Sequence, residues 1–387
     1  MLTSAMLFMT ACTPGSQSSP ASANNNGHAG AATVETAKYA IYVSPPAREL
    51  DPKKVNQGQV LLVNPDGASS SISVGGMELG KVAWHEKELL YSDTSADYTL
   101  ATGREAVNVP STKSDNQVAL FPDVVGKRVS IYNKGFAENG YVSEVVTTSA
   151  DSSTNIEVEG NYFIAAQCAD SVYGLSRATG PYAVTNEPET EPMMLAKLTA
   201  TKAGAEEVIG TSKVANEGAV VPDAPCADGK IRYISNGVES GVKPVPVVST
   251  WDVKSGTYQA VKIVTDSHEK PVLREDGTGL PQLNAGSLQG ESLNWFGSED
   301  GIMQTNLKTG QTKRLFTVEG KTTDTAYSQV KFTHDKAIQL VDNGDGREIQ
   351  IIEYELSSGK ELSRVAISGL TNKLSADYQI FGFDARN

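Results

Sequence analysis

Forty-six acidic side chains, four histidines and three cysteines are the groups with which this 387-residue chain could hold a metal, move a proton or form a covalent bond. Their spacing specifies none of these chemistries. A zinc site needs nitrogen or sulfur donors at short fixed separations, and the sequence has no HExxH, no CxxC and no Cys/His zinc spacing. It has no Gly-x-Ser-x-Gly elbow to strain a serine into reach, and no Walker A or dinucleotide glycine pattern. Asp342-Asn343-Gly344-Asp345-Gly346 gathers oxygen donors as a hard cation requires. Glycine stands there at two positions where an EF-hand needs oxygen-bearing side chains, so the segment reads as a hairpin turn. Calcium or another divalent cation is the single cofactor left in view, and none is specified.

Charge narrows the partners. Lysine and arginine number 33, giving a formal net charge of −13. Phosphate backbones are bound by displacing counterions with a basic surface, so nucleic acid is excluded as a partner. The same balance disfavours docking on anionic lipid and fits a solvated extracytoplasmic surface or a cationic partner.

The N-terminus carries the most informative short motif. Leu2 to Ala11 is apolar and runs into Met9-Thr10-Ala11-Cys12. It resembles a bacterial lipobox, with Met9 where leucine is usual and no basic residue ahead of the apolar stretch. The resemblance implies that residues 1–11 are a signal segment and that Cys12 is acylated, with palmitate-type chains as the attachment to the cell membrane. Residues 12–37 are rich in Ser, Ala, Gly and Asn and read as a flexible tether to a domain at 38–387. With Cys12 lipidated, Cys168 and Cys226 remain as an even pair, which in an oxidising compartment reads as a disulfide.

What must position all of these groups is β-structure. Short β-branched and aromatic runs separated by Gly, Asn, Asp and Pro fill the region after residue 38, and helical periodicity is absent. One phrase returns: Leu100-Ala101-Thr102-Gly103, Val253-Lys254-Ser255-Gly256, Leu307-Lys308-Thr309-Gly310 and Leu356-Ser357-Ser358-Gly359. Glycine supplies the positive φ that a tight hairpin needs. With weaker copies at Gly67, Ser152 and Gly204, seven marks recur at about 50 residues, the length of a four-stranded blade. The expected fold is an all-β, seven-bladed propeller. Six or eight blades are the near alternatives and a β-sandwich the remote one. Tyr39–Val43 reads as a second strand without a first, and the C-terminal strand is left over, so the two are expected to pair and close the ring. The phasing sets Cys168 and Cys226 in equivalent turns of neighbouring blades 4 and 5.

Trp251-Asp252-Val253-Lys254-Ser255-Gly256 is similar to the Trp-Asp phrase that ends the third strand of a WD40 blade, and Leu356-Ser357-Ser358-Gly359 resembles the matching phrase of YVTN and quinoprotein-like blades. The resemblance implies an architecture and carries over no functional residue. Propellers commonly bind ligands where the loops joining strands B to C and D to A surround the channel. On this phasing that face is an acidic rim carrying Asp93, Asp97, Glu239, His268, Glu299, Asp300, Asp342 and Asp345. The expected function is an envelope-anchored binding or scaffold module, recognising a peptide, a wall component or an envelope protein on this rim. A propeller enzyme of lyase, lactonase or hydrolase type, with a metal at the channel mouth, is the alternative.

Overall fold

The structure is a computed structural model that describes residues 31–46, 57–138, 140–183, 191–199, 206–214, 219–239, 243–265, 281–297, 300–320, 327–343, 348–367 and 378–386. Seven antiparallel sheets follow one another along the chain, each with four strands running A to D from the central axis outward. A fifth, two-residue strand (Val264–Thr265) lies parallel on the outer edge of blade 6. The propeller, its seven blades and its mode of closure are those expected. In blade 1 the innermost strand is the C-terminal Gln379–Ala385, paired antiparallel with Tyr39–Ser44.

Blade 2 is Val82–His85, Glu88–Ser92, Ala96–Ala101 and Val107–Pro110, and blade 7 is Tyr327–Phe332, Lys336–Asp342, Ile349–Glu355 and Glu361–Ala366. The inner strands of blades 5 and 6 are shorter. The run Val220–Asp228 forms only Cys226–Ala227 as strand, because Pro222 and Pro225 offer no N–H to a ladder. Ala285–Gln289 begins as a 3₁₀ turn, Ala285–Ser287, capped reciprocally by Asn284 and Ser287, and leaves Leu288–Gln289 as strand.

The core lies between blades. Trp251 and Tyr233 are fully buried in a cluster joining blades 4, 5 and 6, and the indole N–H of Trp251 donates to Tyr233 Oη at 3.2 Å. Cys168 ends the A strand of blade 4 and Cys226 begins that of blade 5. Their Cα atoms are 5.4 Å apart and a disulfide joins them. The first residues of the propeller lie inside the segment read as tether. Ala32, Val34 and Ala37 are buried and Ser70 Oγ donates to the Ala32 carbonyl at 2.6 Å. The propeller therefore begins at about residue 32 and not at 38; alanine and valine here meet the flank of blade 1.

Candidate functional site

Seven inner strands standing around one axis leave seven inner edges whose backbone groups have no strand to pair with. In this protein, side chains of adjacent blades fill several of those places. Gln282 Nε2 donates to the Ser328 carbonyl at 2.9 Å and its Oε1 accepts from Val330 N–H at 2.8 Å. Asn284, two residues on, treats Phe332 in the same way, at 3.0 and 2.7 Å. Gln117 Oε1 accepts from Lys81 N–H at 2.8 Å, and Asp384 Oδ2 from Trp84 N–H at 2.6 Å. The inner edges of blades 2 and 7 are thereby satisfied in part without closing the axis, since a side chain occupies one flank and leaves the centre open.

What remains is a central channel with a cavity of about 780 Å³. Its wall is aromatic in part, with Trp84, Phe121, Tyr327 and Phe383. Two lysines and two aspartates stand in it: Lys81, Asp223, Lys331 and Asp384. Lys331 Nζ forms an ion pair with Asp384 Oδ1. Burial alone would lower the Lys331 ammonium; the charges of Asp384 and then Asp223 outweigh it and hold the ammonium above its ordinary value. Burial pushes the Asp223 carboxyl up, against the pull of Lys331 and of the Ala285 N–H it accepts at 3.2 Å. The three groups thus form one electrostatic set of two carboxyl groups around a single ammonium.

Lys81 differs. Its Nζ donates to the Phe381 carbonyl at 3.3 Å, and desolvation alone lowers its ammonium to about 8. Around it, among the described residues, no carboxylate compensates for its charge. An ammonium in this setting is electrostatically open to an anion.

The sequence-predicted rim fares differently at each residue. Asp93 and Asp97 are corrections, because neither faces the channel mouth. Asp93 is a turn carboxylate, 5% exposed, accepting from Ser95 N–H at 2.8 Å, Ala96 N–H at 2.9 Å and Tyr98 Oη at 2.9 Å. Asp97 is 1% exposed and lies between blades 2 and 3 against Lys113 Nζ at 3.1 Å and Arg128 Nη2 at 3.5 Å. Asp93 satisfies turn N–H groups and Asp97 buried cations, so neither is left to a ligand at an open rim. Asp300 and Asp342 are half-buried, with Asp300 at φ 56° and its carbonyl accepting from Val318 N–H at 2.8 Å. His268, Glu299 and Asp345, the side chain of Glu239, and Cys12 lie outside the described residues. Among the described residues, no group of three or more His, Cys, Asp or Glu could hold a metal ion.

The channel residues escaped the sequence reading, which searched loops for charge. A signal was present in the strands. In Tyr327–Phe332 the channel-facing Tyr327, Gln329 and Lys331 alternate with buried Ser328, Val330 and Phe332. A lysine at the outward phase of an innermost strand points into the axis of a propeller, although outward in most sheets means toward bulk water.

The family model described as "YycP, beta-propeller domain" matches residues 32–385, beginning at the buried Ala32. Among solved structures, BamB from Moraxella catarrhalis is similar at 11% identity and a TM-score of 0.40, over 84% of this chain and 88% of that one. Acylaminoacyl peptidase from Pyrococcus horikoshii is similar at 11% identity and a TM-score of 0.48, over 82% of this chain and 49% of the peptidase. No curated protein matches the chain. At these values neither structural likeness bears on function.

Proposed function

We propose that this chain, which belongs to the YycP β-propeller family, is an exported, membrane-tethered binding propeller that takes its ligand at the central channel. The observation that carries the reading is the channel itself. It combines about 780 Å³ of space, an aromatic wall and an ammonium on Lys81 without a carboxylate beside it. Concave, partly apolar cavities with a few convergent polar groups are where small ligands bind. Around the mouth, the B–C hairpins extend the contact surface, with Asp300 and Asp342 as its described acidic members.

Export and anchoring rest on different residues. Cys12 follows Met9-Thr10-Ala11 as an acylated cysteine follows a lipobox, and a Cys168–Cys226 disulfide belongs in an oxidising compartment. An envelope protein, a peptide or a wall component is then the partner within reach.

Two measurements test the parts separately. Purified protein is incubated with the low-mass fraction of an envelope extract, washed and denatured, and the released molecules are weighed. The same is done with Ala83→Trp, which fills the channel. A ligand released by the parent and not by the filled variant supports the channel; equal release from both, or none, overturns it. Metabolic labelling with palmitate is expected to mark the chain and to be lost in Cys12→Ala, with the protein then found in the medium. Unlabelled parent protein would end the anchoring proposal and leave the channel reading standing.

A further inference from the structure

The charged groups of the channel are arranged along its axis in a way that describes a ligand. Lys81 directly precedes the A strand of blade 2, Val82–His85. Three residues further along that strand, Trp84 N–H donates to Asp384, which is paired with Lys331 and coupled to Asp223. At about 3.3 Å per strand residue, the backbone of Lys81 and the two-acid set are separated along the axis by about 10 Å. One end offers a cation with no carboxylate beside it and the other two carboxyl groups around a single ammonium. Neither is saturated in hydrogen bonds. Among the described residues Lys81 Nζ has one acceptor, where an ammonium can serve three, and Asp223 has one donor, from Ala285.

Between the two ends the wall is apolar enough to cover side chains, with Trp84, Tyr327 and Phe383. The Trp84 indole itself packs with Val34 and Ala37 between blades 1 and 2, under the Arg386 guanidinium at 3.9 Å.

We propose that the channel binds a short zwitterionic peptide of about two to four residues, its terminal carboxylate on Lys81 and its ammonium at the Asp223–Lys331–Asp384 set. An extended chain of three residues spans the same 10 Å or so that separates the charges. Diffusible anions such as phosphate satisfy Lys81 alone and leave the acid set unanswered. This assignment rests on the channel reading and goes further by fixing the class of ligand.

The test uses titration calorimetry on the full chain with trialanine, its C-terminal amide and its N-acetyl derivative. Trialanine is expected to bind, and each blocked form to bind at least about tenfold more weakly, a charge-assisted hydrogen bond being lost in each case. Lys81→Met is expected to bind trialanine and its amide alike, and Asp223→Asn to lose the preference for the free amine, both with an unchanged far-ultraviolet circular dichroism spectrum. Equal affinity for the three peptides, or no heat up to millimolar concentration, would overturn the proposal. So would a non-peptide ligand released by the parent and not by Ala83→Trp, which would leave the channel reading intact.

Discussion

Asp97 shows how a carboxylate that sequence places near a binding face can belong to the interior. It sits beside Lys113 and Arg128, accepts from Ser92 Oγ at 2.6 Å and Thr148 Oγ1 at 2.5 Å, and joins blade 2 to blade 3. Arg128 Nη1 also donates to the carbonyls of Tyr91 at 3.1 Å and Tyr98 at 2.9 Å, so the cation is held even as it is desolvated. Burial would raise the Asp97 carboxyl; the charges of Arg128 and Lys113 and the two hydroxyls outweigh it and hold it below the ordinary carboxylate range. A depressed folded-state pKa stabilises the fold above the unfolded value, and this contribution is lost as pH falls through the folded one. Asp97→Asn leaves two cations buried without a counter-charge, and is expected to lower stability by about 3–5 kcal/mol near neutral pH. The difference from the parent should shrink below about pH 4, where the parent's own carboxylate takes up a proton. Urea unfolding at several pH values measures both, and a difference that does not change with pH would remove Asp97 from the ionic account.

At the scale of elements, the repeated glycine was legible but only half of its reason was. Gly67, Gly103, Gly256, Gly310 and Gly359 all lie in turns at positive φ, as hairpin geometry required. The structure adds a contact that a single sequence phrase does not display. A Cβ on Gly310 would lie 1.8 Å from the Lys262 carbonyl oxygen of blade 5, and one on Gly67 would lie 2.2 Å from the Ala366 carbonyl oxygen of blade 7. These two turns lean on the outer strand of the preceding blade, so the phrase there encodes blade-to-blade packing as well as reversal of the chain. Gly103, at nearly the same φ as Gly310 (+69° against +71°), has nothing within 4 Å of such a Cβ. The pair separates the two causes. Gly103→Ala is expected to cost about 1 kcal/mol for the left-handed backbone alone, and Gly310→Ala about 2–3 kcal/mol or more. Chemical denaturation of the two variants checks this; equal losses would mean that the approach of neighbouring blades contributes nothing. The short inner strands of blades 5 and 6 were illegible for a different reason. Their backbone is ended by prolines and caps, while β-branched composition on either side still reads as strand.

For the whole molecule, the decisive junction is the one between the two ends of the chain. Tyr39–Val43 are all buried, a composition no solvent-facing edge tolerates, and the C-terminal strand covers them. That strand does more than pair. Asp384 accepts from Trp84 of blade 2 and binds Lys331 of blade 7, so one carboxylate ties the closing strand to both neighbouring blades. Arg386 then reaches back, its N–H donating to the Lys38 carbonyl at 2.7 Å and its guanidinium to the Glu35 carbonyl at 3.2 Å, with its face over Trp84. The channel and the closure therefore share residues, and opening one must disturb the other. A chain ending at residue 378 keeps six complete blades and exposes the edge of Tyr39–Ser44. An uncovered apolar edge strand pairs with another copy, so the truncated chain is expected to run as dimers and larger species in size-exclusion chromatography with light scattering. Amide exchange should become fast in Tyr39–Ser44 and Val82–His85 of any remaining monomer and stay slow in the disulfide-joined blades 4 and 5. Arg386→Ala keeps the strand and removes only its anchor, and is expected to stay monomeric with faster exchange confined to residues 32–38. A truncated chain that remains monomeric, with protection unchanged around the ring, would show that the circle is held by packing between blades and that the terminal strand is dispensable.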